Sequence, residues 1–450
     1  MASQQAQDVV RDLSEEQQQN DASAEYLGAD EGIEVEEVYD DNDEPMDDDE
    51  EADDEQHQSG DGDDDQGDDA DKLLDGGFDD SFAQAQMHEG AVFTLALHPI
   101  DPTLAVSGGE DDLAYLWRTD NGERVAKLDG HSDSVTSVGF STDGQFVATG
   151  GMDGRVRVWK HLKNASNDWL QWELLTDLEG PDEVNWIDWH PKGTLLLAGG
   201  ADGTVWLWNL PSGVTMHVLS GHTAPVTCGR FTPDGKRIVT CSEDSTLIYW
   251  DPRTGEAIHK ITATDARFRL EAGINAVAIN PASTVAVVAG AEGGMRAVNL
   301  VQGTVLQQME GHEEGASIEA VAFSEVPTVG AASLTVLVSV GTDGRVCTWE
   351  ANTFKLRSTG SHEDAVTSLA FAPGTTTFVT ASADKTLKVW DYRRGTTVKT
   401  LLGPRDVVHA CAVSRDGKLV ISGSEDGLVK VFKPYEDRPD PLAEDAEMTA

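Results

Sequence analysis

Short apolar runs with alternating polar positions recur along the chain from residue 88 onward, separated by Asp-Gly and Pro-Asp-Gly turns. Arg155-Val-Arg-Val-Trp159 is a typical run, in which apolar and polar side chains alternate. This alternation predicts half-buried β-strands, and the turn residues between the runs predict tight hairpins. We therefore expect this part of the chain to be all-β.

The pattern repeats at a nearly constant period. Val298 and Phe432 end two of the runs, and tryptophans end six others: Trp117, Trp159, Trp208, Trp250, Trp349 and Trp390. The spacings between these eight anchors are 42, 49, 42, 48, 51, 41 and 42 residues. Such a period is typical of four-stranded β-propeller blades. Eight copies predict eight blades, with a seven-bladed ring as the alternative, and insertions blur the blade boundaries near 263–273 and 325–332.

Three polar positions recur with the anchors. An acidic residue lies six positions before every anchor, a hydroxyl lies ten positions before most of them, and a histidine opens five copies. These residues resemble the WD-repeat family over 80–435. The resemblance implies a hydrogen-bond relay from a turn Asp to a loop His, then to a strand hydroxyl and to the Trp. Five copies carry all four residues: His88, Ser107, Asp111 and Trp117; His131, Thr149, Asp153 and Trp159; His222, Thr240, Asp244 and Trp250; His312, Ser339, Asp343 and Trp349; His362, Thr380, Asp384 and Trp390.

Three copies have lost members of this relay. They end at Trp208, Val298 and Phe432, and Pro181 and Pro404 occupy the histidine position in the first and the last of them. We expect these blades to depend more on apolar packing. Since a WD repeat begins with the outer strand of the preceding blade, we also expect Asp79–Gln86 to pair beside Leu428–Lys433 and close the ring.

Charge divides the chain into regions. Residues 1–80 carry 33 acidic residues against Arg11 and Lys72, within a chain of net charge −49. Self-repulsion and the lack of apolar surface predict a disordered acidic tail over 1–75, followed by the propeller over 76–435 and a short acidic tail over 436–450. The folded part is also acidic, which disfavours nucleic-acid and anionic-membrane binding and favours basic partners.

Other features indicate the compartment and exclude some chemistry. The four cysteines form no Cys-x-x-Cys pair, and the first residues lack the pattern of a signal peptide. We expect a cytoplasmic monomer with reduced thiols, with the nucleus as the alternative location. Histidine–aspartate pairs that recur from copy to copy indicate architecture, because an active site occurs once. We therefore expect no enzymatic activity, no cofactor and no metal site.

In WD-repeat proteins, partners usually bind the face formed by the histidine loops and the aspartate turns. In this chain those loops and turns carry many acids, with Phe93 as a candidate apolar anchor and Arg405 as the one obvious base. We call the following predicted partner-binding residues the acidic face: Glu89, Phe93, Glu110, Asp133, Asp182, Glu183, Glu243, Glu313, Glu314, Glu319, Glu363, Asp364, Asp406 and Glu425. An excess of negative charge confined to one face indicates a basic partner, because charges that only keep a protein soluble need not cluster on one face.

A more specific resemblance comes from Leu178-Glu-Gly-Pro-Asp-Glu-Val-Asn-Trp-Ile-Asp-Trp-His-Pro191 and Leu196-Leu-Ala-Gly-Gly-Ala-Asp-Gly203. These segments are similar to the angio-associated migratory cell protein family, which includes a fungal chaperone dedicated to a large-subunit ribosomal protein of the L-ten (universal L-sixteen) class. The resemblance implies that the acidic face binds the basic amino-terminal segment of such a protein. Two alternatives are a histone-binding chaperone or scaffold, and a cullin-ligase receptor that docks through Arg253 and Arg393.

Overall fold

The computed structural model describes residues 79–162, 168–326 and 334–436, and these residues form 32 β-strands. The strands of the first four blades are β2 to β17: Val92–Leu97, Leu104–Gly109, Ala114–Arg118, Arg124–Leu128; Val135–Phe140, Phe146–Gly151, Arg155–His161, Trp172–Glu179; Val184–Trp189, Leu195–Gly200, Thr204–Asn209, Val214–Ser220; Val226–Phe231, Ile238–Ser242, Leu247–Asp251, Glu256–Ile261.

The other four blades are built in the same way. Their strands are β18 to β32 and β1: Ile274–Ile279, Val285–Gly290, Met295–Asn299, Thr304–Met309; Ile318–Val326, Leu334–Gly341, Arg345–Glu350, Leu356–Ser361; Val366–Phe371, Thr377–Ser382, Leu387–Asp391, Thr396–Leu401; Val408–Val413, Val420–Ser424, Leu428–Phe432, and Ala83–Gln86. The blurred boundary near 263–273 is a loop between β17 and β18. At the other blurred boundary, near 325–332, β22 extends to Val326.

Each blade is a four-stranded antiparallel sheet, and there are eight such sheets among the described residues. The first strand of each blade contacts the first strand of the next, and the cycle closes where β30 contacts β2. These contacts confirm the all-β, eight-bladed propeller and exclude the seven-bladed alternative.

Apolar packing between blades forms the core. The second strands are buried along almost their whole length, as the pattern of β3, Leu104–Gly109, shows. Side chains from neighbouring blades share clusters: Val92 and Leu95 of blade 1 pack with Ile421 and Val429 of blade 8. Burial of this kind stabilises by about 25 cal/mol per Å² of apolar surface, so every blade depends on its neighbours.

The ring is closed by a shorter strand than the sequence predicts. Only Ala83–Gln86 pairs with β32, in the register Ala83 to Val431. Just before it, the Phe82 amide donates to the Val431 carbonyl of β32, whereas Asp80 bonds to the residue that follows β29: its amide donates to the Leu402 carbonyl and its carboxylate accepts from the Leu402 amide. Asp79 accepts a hydrogen bond from the Lys430 ammonium at 2.6 Å. The side chains of Asp79 and Asp80 therefore hold the start of the propeller ahead of the paired strand.

Candidate binding face

The loops between blades and the second hairpin turn of each blade lie at the same end of the propeller. The Asp111 carboxylate, in the turn between β3 and β4, accepts a hydrogen bond from the Glu89 amide in the loop before β2. Adjacent blades also touch there, since the Ser134 hydroxyl donates to the Glu110 carbonyl. These loops and turns form one continuous surface.

The relay residues meet beneath this surface. In blade 7 the Trp390 indole donates to the Thr380 hydroxyl at 2.8 Å, and that hydroxyl lies 2.7 Å from His362 Nε2. His362 Nδ1 lies 2.8 Å from the Asp384 carboxylate. The Thr380 hydroxyl thus links the indole to the imidazole, and the imidazole in turn contacts the turn carboxylate. Blades 4 and 6 contain the same four-membered chain.

In two blades the relay stops one step early, which corrects the sequence-based expectation of five complete copies. His88 contacts Ser107 and Asp111, and His131 contacts Thr149 and Asp153, at 2.8–2.9 Å. The indole nitrogens of Trp117 and Trp159, however, have no hydrogen-bond partner among the described residues. Those two tryptophans contribute by packing.

The relay also fixes the backbone of the acidic face. The turn aspartate of each relay accepts a hydrogen bond from the amide that follows the histidine. In three blades that following residue is an acid of the face: Glu89, Glu313 and Glu363. The buried network thus holds exposed carboxylates in defined positions.

A β-bulge near the start of each blade's first strand also directs side chains toward the acidic face. The first strand of every blade has a register shift immediately after its first residue, which is a β-bulge. The bulged residues are Phe93, Thr136, Asn185, Thr227, Asn275, Glu319, Thr367 and His409. Bulges re-aim side chains and are common beside functional sites. The acidic face predicted from the sequence includes two of these residues, Phe93 and Glu319, and a strict alignment of the repeats would have placed the others.

Three of the missed residues join neighbouring blades. The hydroxyls of Thr136, Thr227 and Thr367 each donate to the carbonyl of the first residue in the next blade's inner strand. Glu319 occupies the same position in blade 6 and is exposed. The bulge ring therefore contains both residues that lock blades together and a residue open to a partner.

The structure brings the predicted acidic residues to this surface. All members of the acidic face are exposed except Asp406, which is half-buried. Phe93 is 36% exposed and packs edge-on against His409, whose ring nitrogen contacts the Glu425 carboxylate. An apolar ring beside carboxylates can bind the aliphatic and charged parts of one Lys or Arg side chain.

Basic residues are few there but more numerous than predicted. Arg345 pairs with Glu313 at 2.6 Å and partly neutralises it. The loop entering blade 5 contributes Arg267 and Arg269, which pair with Asp265 and Glu271. The sequence analysis named Arg405 as the one obvious base, and it missed Arg267 and Arg269 because insertions blur the blade boundary near 263–273.

The opposite end of the propeller has a different character. Arg253 and Arg393 follow the ends of β16 and β28, in turns at that end. Arg253 is 78% exposed and bonded to Asp251. Among the described residues no group of three or more His, Cys, Asp or Glu side chains is arranged to hold a metal ion, and no helix is long and apolar enough to cross a membrane.

Comparison with known proteins identifies the family. The family model for the WD domain, G-beta repeat, matches residues 122–160, 172–209, 213–251, 354–391 and 395–433. The human angio-associated migratory cell protein is 33% identical over 365 residues, covering 79% of this chain and 80% of that protein. The chain belongs to the angio-associated migratory cell protein family. The five matched repeats each end one residue after a predicted anchor: Trp159, Trp208, Trp250, Trp390 and Phe432.

Fungal proteins are also similar to this chain. Ribosome assembly protein SQT1 of Saccharomyces cerevisiae is 30% identical, over 63% of this chain and 69% of that protein. The crystal structure of Chaetomium thermophilum Sqt1 bound to the N-terminus of the ribosomal protein L10 superposes with a TM-score of 0.73. Its sequence identity is 27%, and the match covers 79% of this chain and all of that chain.

Stability of this WD-repeat protein is expected to fall between pH 7 and pH 5. Burial lowers the pKa of His88, His98, His131 and His222 below the ordinary histidine value, so folding favours their neutral forms. The unfolded chain then binds more protons, and stability present above a pH of about 6.5 is lost as pH falls through the folded pKa values. Urea unfolding at pH 8, 7, 6 and 5 measures this, and a flat profile would contradict it.

Below pH 4 a second loss is expected from the turn carboxylates. Burial alone would raise the pKa of Asp153, but the hydrogen bond from His131 and two backbone amides hold it below the ordinary value. A carboxyl with a lowered folded pKa stabilises above its unfolded pKa and loses that contribution on acidification. The two steps are separable because histidines and carboxyls have different unfolded pKa values.

Proposed function

We propose that this protein is a dedicated chaperone for a large-subunit ribosomal protein. It binds the basic amino-terminal segment of the newly made protein on its acidic face and supports ribosome assembly. The observation that carries the proposal is the concentration of exposed carboxylates on one end of the propeller. Support comes from the similar Sqt1, whose crystal structure is described as bound to the N-terminus of the ribosomal protein L10.

The chemistry suits such a client. A ribosomal protein segment rich in Arg and Lys is attracted by summed negative potential, which raises the association rate. Individual exposed ion pairs contribute about 0–1 kcal/mol, so tight binding requires many pairs together with an apolar anchor. Phe93 supplies that anchor beside His409 and Glu425. No nucleotide is needed, because release follows when ribosomal RNA offers a denser array of negative charge.

The same proposal accounts for location and partners. Capture of a newly made ribosomal protein takes place in the cytoplasm, and a monomer with one acidic face suffices for one client. Direct nucleic-acid and membrane binding do not belong to this function, because phosphate groups are repelled by the face that binds the client.

The test is a titration of the full chain with a labelled peptide from the amino terminus of that ribosomal protein. We expect binding that weakens with salt and that Glu319→Lys weakens by about tenfold, since it reverses an exposed charge within the face. Glu256→Lys, which changes an exposed acid where β17 begins at the opposite end, is the matched control and should change affinity little.

A histone-tail peptide and a cullin-ligase adaptor distinguish the alternatives. Equal binding of ribosomal and histone peptides, unchanged by Glu319→Lys, would overturn the dedicated-chaperone proposal. Co-purification of the adaptor that is lost on charge reversal of Arg253 and Arg393 would favour the ligase receptor instead.

A further inference from the structure

The loop that enters blade 5 and the second hairpin turn of that blade enclose a pocket of about 330 Å³. It lies at the same end of the propeller as the acidic face. Its charged lining residues are Arg269, Glu271, Glu292 and Arg296. Arg269 and Glu271 pair with each other at 2.8 Å, which leaves Arg296 as the lining cation that no described carboxylate pairs.

Blade 5 lacks the hydrogen-bond relay entirely. Leu270 stands at the histidine position, Val288 at the hydroxyl and Val298 at the tryptophan, and all three are buried in one apolar cluster. Glu292 stands at the aspartate position but is exposed. The Glu292 carboxylate therefore has no relay histidine to accept from, unlike the turn aspartates of the relay blades.

Arg296 lies two residues before the anchor Val298 and is incompletely bonded. Its terminal nitrogens donate to the carbonyls of Met295 and Arg269 at 2.9 and 2.8 Å. Its Nε is buried and has no partner, and no described carboxylate lies within 4.0 Å of the guanidinium. Burial lowers the pKa of Arg296, while the more distant Glu310 acts in the opposite direction.

Three other blades have a cation at this position: carboxylates pair with it in two of them, and in blade 7 Lys388 donates to the Ser361 carbonyl at 3.0 Å. Arg157 of blade 2 pairs with Asp153 at 3.2 Å and with Asp177 at 3.1 Å. Lys430 of blade 8 pairs with Asp79 at 2.6 Å. Arg296 thus occupies a site that carboxylates complete in blades 2 and 8.

A glycine keeps the site open. Gly294 follows the left-handed turn residue Gly293, and the other seven blades have a side chain at this position. A Cβ on residue 294 would lie 3.3 Å from Arg296 Nη1 and 3.0 Å from Leu270. A larger side chain there would fill the space in front of the guanidinium.

We propose that this pocket binds a carboxylate side chain of the peptide that occupies the acidic face, with Arg296 as the pairing residue. The inference rests on the proposed function, because it assigns a specificity determinant to that face. A guanidinium binds a carboxylate through two parallel hydrogen bonds, so the pair fixes geometry as well as charge. One acid within an otherwise basic segment would then set the register and direction of the bound chain.

The test places a single glutamate, in turn, at each position of a short peptide of Lys, Arg and Gly. Affinity for the full chain is compared with that of peptides carrying glutamine at the same position. We expect one position where Glu lowers Kd by about tenfold relative to Gln. Arg296→Met and Gly294→Thr should remove this gain, and Arg267→Met, a residue of the same loop already paired with Asp265, should keep it.

The outcomes separate the two proposals. If the parent peptide binds but no position distinguishes Glu from Gln, the pocket assignment is wrong and the chaperone proposal stands. If the parent peptide does not bind, N-acetylglutamate methylamide tests the pocket alone, and the titration with the ribosomal peptide decides the chaperone proposal. A shift of the Arg296 Nε–H resonance with this compound, and not with its glutamine analogue, supports the site; no shift overturns it.

Discussion

Replacing Asp79 by alanine is expected to lower the free energy of unfolding by about 3 kcal/mol, because it leaves the buried Lys430 ammonium without its carboxylate partner where the ring closes. The Lys430 side chain is only 1% exposed, and its ammonium is left with the Gln84 side-chain oxygen at 3.0 Å. Asp79 itself is 40% exposed, so the opposite change, Lys430→Met, leaves a carboxylate that water can reach. We expect that variant to lose less stability.

Urea unfolding followed by tryptophan fluorescence measures both changes and their combination. Asp79→Ala with Lys430→Met should recover most of the loss, since no buried charge remains without a partner. Glu436→Gln is the control, because it removes the exposed ion-pair partner of Lys433, which follows β32. Its free energy of unfolding should stay within about 0.5 kcal/mol of that of the unchanged protein. A double variant no more stable than Asp79→Ala alone would show that the ion pair is not what closes the ring.

The blade number could be predicted from the sequence because it depends on local, repeated signals. Alternating apolar residues, a turn acid and an anchor recur in every blade, and together they define one supersecondary unit. Ring closure was predicted only in outline. Four residues, Ala83–Gln86, pair as expected, whereas Asp79 and Asp80 bond across to Lys430 and Leu402, contacts over more than 300 residues that no local pattern encodes.

The exposure of the acidic loop and turn residues was predictable where the repeat is regular. It was not predictable in blade 5, because Leu270, Val288 and Val298 replace the polar markers that fix the alignment. The loop carrying Arg267 and Arg269 was therefore missed. The missing indole contacts of Trp117 and Trp159 depend on side-chain geometry, which residue identity alone does not determine.

Asp343→Ala is expected to destabilise the protein by about 3 kcal/mol, because it leaves three donors without their acceptor at roughly 1 kcal/mol each. The Asp343 side chain is 1% exposed. It accepts from His312 Nδ1 at 3.0 Å and from the amides of Glu313 and Arg345 at 2.9 and 3.0 Å. Urea unfolding measures the loss.

Blade 5 supplies the matched control for this change. Glu292 stands at the same repeat position, is exposed and has no relay histidine, so Glu292→Ala should change stability by less than about 0.5 kcal/mol. Because the Asp343 carboxylate also fixes the Glu313 backbone, Asp343→Ala should in addition weaken binding of the basic peptide under conditions where the protein is still folded. Full affinity in the folded variant would mean that the relay stabilises the blade without positioning the acidic face.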